Sequence, residues 1–266
     1  MKKLFYIILL CLIAFVITSL YYYNKWKPLW SLEEPKEMFS ITSCQDDTMR
    51  IVMIGDSWVG MRTSKLDSLF ASRLSEMTDR SVQLKTKGKG GEKSRGIYQL
   101  MFEVDGFGTK SLFVDGVDYC IVIAGINDAA ANLGKEQYIH HTKLILNFLL
   151  ANNIRPVLVE IPDVNIWNVY GEKPFKDLTI DYIRSLMTRC GMYHFSEYRE
   201  ALLSMLKDSG LMDSLLYVPM RGWHGKEAEL NKTLFLDDQI HLNQQGYIKM
   251  DSCIIDVIKT DLQQFQ

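Results

Sequence analysis

The stretch Arg50-Ile51-Val52-Met53-Ile54-Gly55-Asp56-Ser57-Trp58-Val59-Gly60 decides the fold. An apolar, β-branched run stops at a glycine, offers an acid and a serine, and passes into a helix-like segment, so it reads as strand, sharp turn, helix. On such a turn the Ser57 hydroxyl is exposed while its backbone N–H points into the cleft. An acyl-transfer nucleophile needs that arrangement.

Downstream the alternation continues. Leu66, Leu69, Phe70 and Leu74 have helical spacing within 66–77, and 81–86 reads as a second strand. The turn Lys87-Gly88-Lys89-Gly90-Gly91-Glu92-Lys93 leads into a helix over 94–102. The run 117–124 is the most strand-like in the chain and ends at Gly125-Ile126-Asn127-Asp128. A helix over 135–151, a strand over 155–161 closed by Pro162, a helix over 178–188 and a fifth strand over 192–195 follow. The helix over 244–262 carries Tyr247, Met250, Ile254, Val257 and Ile258 on one stripe.

Strands alternating with helices predict an α/β fold with three layers, α/β/α, around a five-stranded parallel sheet. Nearly continuous apolar strands such as 119–124 fit a sheet buried on both faces. In such sheets ligands bind beyond the carboxyl ends of the strands, where the strand order reverses. A flavodoxin-like order 2-1-3-4-5 brings Ser57, Gly91 and Asn127 to one crevice, because each falls just past the end of the first, second or third strand.

A serine needs a base, and the base needs a group that fixes its tautomer and stabilises its cation. Asp238-Gln239-Ile240-His241 supplies both, since a three-residue separation in one turn sets the two side chains side by side. A helix-capping loop is the alternative reading of that block. An oxyanion also needs donors. Candidates are the Ser57 N–H, an N–H of the Gly90-Gly91 turn, and the Asn127 side-chain amide. The plainer readings are a positive-φ turn for the glycines and a helix N-cap for Asn127.

Taken together, Gly55-Asp56-Ser57, Gly125-Ile126-Asn127-Asp128 and Asp238-Gln239-Ile240-His241, continued by Leu242-Asn243-Gln244-Gln245-Gly246-Tyr247, resemble the blocks of the SGNH subgroup of GDSL hydrolases over about 50–260. The second block departs from the pattern. Gly91-Glu92-Lys93-Ser94 stands nearest to the usual Gly-Asp-Thr-Ser-like turn, and the asparagine before it is absent. The resemblance implies a hydrolase of carboxylic esters that uses no metal and no cofactor. Ser57 would be the nucleophile, His241 the base, Asp238 its orienting acid, and Ser57, Gly91 and Asn127 the oxyanion donors. It also implies that an acyltransferase could run on the same triad. A non-catalytic envelope-binding protein on this scaffold is the alternative from another class. The Gly-x-Ser-x-Gly elbow of ordinary α/β-hydrolases is missing, because the glycine after Ser57 is Gly60.

The 266 residues hold 30 basic and 32 acidic side chains, a formal charge of −2, so no surface for nucleic acid is implied. The N-terminus is a different material. Lys2 and Lys3 precede an uncharged run over 4–20, and Tyr21, Tyr22, Tyr23, Trp26 and Trp30 follow it. This reads as a transmembrane helix or signal segment over 1–23, then a linker over 24–48 and the hydrolase domain over 49–266. The basic pair argues for an N-terminus in the cytoplasm and a domain outside it. A cleaved signal peptide competes, although no Ala-x-Ala-like site is present. Cys44, Cys120, Cys190 and Cys253 form no metal-binding pattern, and their four thiols allow three pairings.

His140, His141 and His194 read as structural residues. His224 lies in an irregular stretch leading to the Asp238 block and could line the substrate cleft. Trp167, Tyr170 and Phe175 form an aromatic insert that reads first as hydrophobic packing of long loops and second as a sugar-stacking platform. An acylated envelope or capsular carbohydrate is the partner class that location and this insert suggest.

Overall fold

The computed structural model describes residues 2–41, 46–164, 166, 173–220, 222–223 and 232–264. The chain forms two compact units, Met1–Glu33 and Glu34–Gln266. The first is the helix α1 (Lys2–Trp26) with a 3-10 turn, Lys27–Trp30. It has a mean hydropathy of 2.6 over its most apolar window, and that window is wholly exposed. A 25-residue helix is about 37 Å long, enough to cross a hydrocarbon core.

The second unit begins earlier than residue 49. Lys36 donates its N–H to Tyr98 Oη at 2.7 Å, and the Phe39 ring lies 5.0 Å from Phe148 and 5.8 Å from Phe102. Part of the stretch read as linker is therefore packed chain, held by aromatic contacts. In order, the unit then contains β1 (Met49–Gly55), α2 (Ser57–Gly60), α3 (Ser64–Thr78), β2 (Val82–Gly88), α4 (Ser94–Leu100), β3 (Tyr119–Ile123), α5 (Ile126–Ala130), α6 (Lys135–Ala151), β4 (Arg155–Val159), α7 (Phe175–Thr188), α8 (Phe195–Asp208), β5 (Leu216–Val218) and α9 (Gln244–Gln264).

The five strands pair in parallel in the order 2-1-3-4-5. Helices α3 and α9 pack together over one face, and α4, α6 and α8 over the other. All of β3 is buried, as is β1 apart from Arg50, which explains their unbroken apolar runs. The core is continuous from Met49 through Phe70, Ile121, Leu146 and Leu158 to Ile258. Register sets the carboxyl ends level, with Gly55 opposite both Gly88 and Ile123. Gly88 is required by close approach. A Cβ there would stand 2.5 Å from the Asp56 carbonyl oxygen and from the Gly60 nitrogen.

One expected element is corrected. Residues 192–195 form no strand, because Tyr193 takes φ +60° with its N–H on Asn132 Oδ1, and α8 starts at Phe195. Phe195, Tyr198, Leu202 and Leu206 are the buried apolar stripe of that helix. The fifth strand is the three-residue β5, paired through Val159 and Val218.

Candidate active site

Ser57 opens α2, directly after β1, and is 9% exposed. Asp56 precedes it as N-cap, its Oδ1 accepting the Trp58 N–H at 3.0 Å, so the turn is closed by a side chain from within the Gly-Asp-Ser block. The Trp58 indole, itself buried, donates Nε1–H to the Ile240 carbonyl at 3.0 Å. Its ring packs 6.1 Å from Trp223 and 6.4 Å from Phe235. This bond joins the residue after Ser57 to the residue before His241 across 182 positions of chain.

His241 is held in a narrow loop. Phe235 and Leu242 form an antiparallel bridge, and the Leu236 N–H bonds to the His241 carbonyl at 2.8 Å. Asn243 then caps α9, its Oδ1 accepting the Gly246 N–H at 3.0 Å. Asp238 closes the loop from inside. Its Oδ1 accepts the N–H groups of Ile240 and His241 at 2.9 Å each, and its Oδ2 lies 2.6 Å from His241 Nδ1. Burial disfavours the Asp238 charge, but the His241 hydrogen bond and the two backbone N–H groups outweigh it and hold the carboxyl below its usual range. With Nδ1 facing a carboxylate, the proton sits there and leaves Nε2 free to accept.

The second and third blocks meet through Asn127. Asn127 lies in the first turn of α5, whose N-cap is Gly125 at φ +115°, so the N-cap reading of Asn127 does not hold. Its Nδ2 donates to the Glu92 carbonyl at 3.0 Å and to Asp56 Oδ2 at 3.2 Å. Gly91 is the residue before that carbonyl. It occupies a turn closed by Glu92 N–H to Lys89 O at 3.2 Å, with φ +71°, a conformation that glycine adopts without strain. Asp128 fixes the other side of the turn, accepting the Ser94 hydroxyl at 2.6 Å and the Ser94 N–H at 2.9 Å. Burial pushes the Asp128 carboxyl up, and the Ser94 bonds oppose that.

Thus the structure brings together Ser57 with Asn127 through Asp56, Gly91 with Asn127 through Glu92, and His241 with Asp238 directly. The set-aside histidines lie elsewhere. His141 is buried with Nδ1 on the Gln137 carbonyl at 2.7 Å, and His194 stands exposed beside Glu197. Cys120, Cys190 and Cys253 are free thiols. Cys44, Trp167, Tyr170 and His224 lie outside the described residues. Two features escaped the sequence reading: the Trp58–Ile240 bond and the contact of Asp56 with Asn127.

A sequence profile for the GDSL-like Lipase/Acylhydrolase family matches residues 53–248. Among curated proteins none matches the chain. Similar solved structures include the lipase/acylhydrolase from Enterococcus faecalis, with TM-score 0.55, 15% identity, and coverage of 80% of this chain and 96% of that one. The psychrotrophic esterase EstA from Pseudoalteromonas sp., in a form inhibited by monoethylphosphonate, gives TM-score 0.55 at 15% identity, covering 82% and 100%. An acetyl xylan esterase, AlAXEase, gives TM-score 0.55 at 15% identity, covering 78% and 98%. At such identities these structures speak for the fold, while the profile spans most of the domain and its Asn127 and His241 blocks. The chain belongs to the GDSL-like lipase/acylhydrolase family.

Proposed function

We propose that the protein is a membrane-tethered serine esterase that removes acyl groups from O-acylated carbohydrate outside the cytoplasm. The observation that carries the chemistry is the His241–Asp238 pair at 2.6 Å, tied to the Ser57 turn by the Trp58 indole. In this reading the Ser57 hydroxyl attacks the ester carbonyl as His241 Nε2 takes its proton. Asp238 holds the imidazole in place and stabilises its cation. The Ser57 N–H, the Gly91 N–H and the Asn127 amide receive the negative oxygen. His241 returns the proton to the leaving alcohol, and water then repeats the sequence on the acyl-enzyme.

Exposed apolar helix α1 supports the tether, and Lys2-Lys3 on its N-terminal side supports a domain on the far side of the membrane. Carbohydrate is favoured by the acetyl xylan esterase among the similar folds. The test is fluorophosphonate labelling of the detergent-solubilised chain, followed by acetate release from an acetylated polysaccharide. Wild type labels at Ser57 and releases acetate, and Ser57→Ala does neither. An unlabelled wild type overturns the nucleophile, and labelling without acetate release overturns the carbohydrate.

A further inference from the structure

Asp56 is wholly buried, yet its charge is not needed to cap α2, because asparagine caps as well. Its second oxygen does something else. Oδ2 faces the amide nitrogen of Asn127 at 3.2 Å, and the Glu92 carbonyl takes the other hydrogen of that nitrogen at 3.0 Å. An amide has a nitrogen end and an oxygen end of equal size, and only the nitrogen end can donate. Two acceptors therefore fix where the nitrogen end of the amide lies.

We propose that Asp56 is a positioning residue that fixes the Asn127 amide with its nitrogen toward the cleft, and that gives up its hold on one hydrogen when the oxyanion forms. This rests on the serine-esterase reading. The bond to Asp56 is the longer of the two and so the one more readily shared. An ionised Asp56 can only accept, which keeps the nitrogen in place. A protonated one can donate to the amide oxygen instead, and the amide is then free to turn over.

Burial pushes the Asp56 carboxyl up to about 7. The Trp58 N–H opposes that rise, the charge of Asp128 on α5 adds to it, and His241 and the Asn127 amide oppose it again. Tyr247 on α9 also feels the Asp56 charge. Because the folded-state value is raised above the ordinary one, ionising Asp56 costs stability progressively as pH rises from about 4 to about 7.

Asp56→Asn separates the two roles, since it retains the cap and sets a donor against the Asn127 nitrogen. In the full chain in detergent, kcat on a short activated ester falls about 10- to 100-fold with KM changed less than about twofold. The same substitution in an Asn127→Ser background costs no further activity. The melting temperature of Asp56→Asn rises relative to wild type between pH 4 and pH 8. Undiminished kcat, additive losses, or a melting difference independent of pH each overturn the proposal.

If Asp56→Asn does not fold, Asn127→Ser alone decides. The acid limb of log kcat/KM against pH then loses the Asp56 ionisation and becomes shallower than in wild type, and an unchanged limb overturns the proposal. Ser57 labelling in wild type keeps the two readings apart. Its absence removes the esterase reading and this one with it, whereas a labelled wild type beside an undiminished Asp56→Asn removes this one alone.

Discussion

Asp238 stabilises the His241 loop by two means, and they can be dissected. Asparagine at this position keeps an oxygen for the N–H groups of Ile240 and His241, but presents an amide nitrogen to His241 Nδ1. The ring then takes the opposite tautomer, with its proton on the side that should accept from Ser57. Asp238→Asn is expected to leave the melting temperature within a few degrees of wild type and lower kcat by about 10³- to 10⁴-fold. Steady-state kinetics beside thermal unfolding checks this. Asp237→Asn, on an exposed neighbour, should change neither. The lowered pKa of Asp238 means that its contribution to stability is present above the ordinary carboxylate range and is lost as pH falls through its folded value. At this scale the sequence was most legible where a role depends on near neighbours, as in Asp-x-x-His. The contact of Asp56 with Asn127 spans 71 residues and exists only once two strands have paired, so no local pattern encodes it.

Elements are joined across the site by Arg62, in the turn between α2 and α3. Its side chain is fully buried and forks onto Asp251 of α9 at 2.8 and 3.1 Å, with Nε on Asp67 of α3 at 2.8 Å. Removing one partner of a buried pair leaves an uncompensated charge, so Arg62→Ala should cost about 3–5 kcal/mol. Arg62→Ala with Asp251→Ala should cost less than the sum of the two single changes, as chemical unfolding of all three variants would reveal. Element boundaries followed the sequence where burial is two-sided, as in β1 and β3. They failed at 192–195, where the aromatic start of α8 imitates a strand, and at β5, whose three residues give alternation nothing to repeat.

For the molecule as a whole, where the apolar N-terminal helix should be cut follows from the packing of residues 34–41. A chain starting at Glu34 keeps the Lys36 bond to Tyr98 and the Phe39 ring among Phe102, Phe113 and Phe148. It is expected to be soluble, monodisperse by light scattering and as active as the full chain in detergent. A chain starting at Met49 loses the Phe39 contacts, worth about 2 kcal/mol, and should melt lower. The α/β/α architecture was legible because strand and helix periods alternate over the whole domain. The early start of packing was not, because the segment around Phe39 has neither period.

The indole bond from Trp58 to Ile240 also sets an order of events during synthesis. A ribosome makes the apolar helix before the serine turn, but the loop bearing the imidazole emerges only after Ile240, 182 residues later than Trp58. Until then, on the proposed triad, the serine has no base and the Trp58 indole has no Ile240 carbonyl to donate to. On that triad Ser57 therefore stays without its base until the loop at Ile240 and His241 has emerged, long after the apolar helix has left the ribosome.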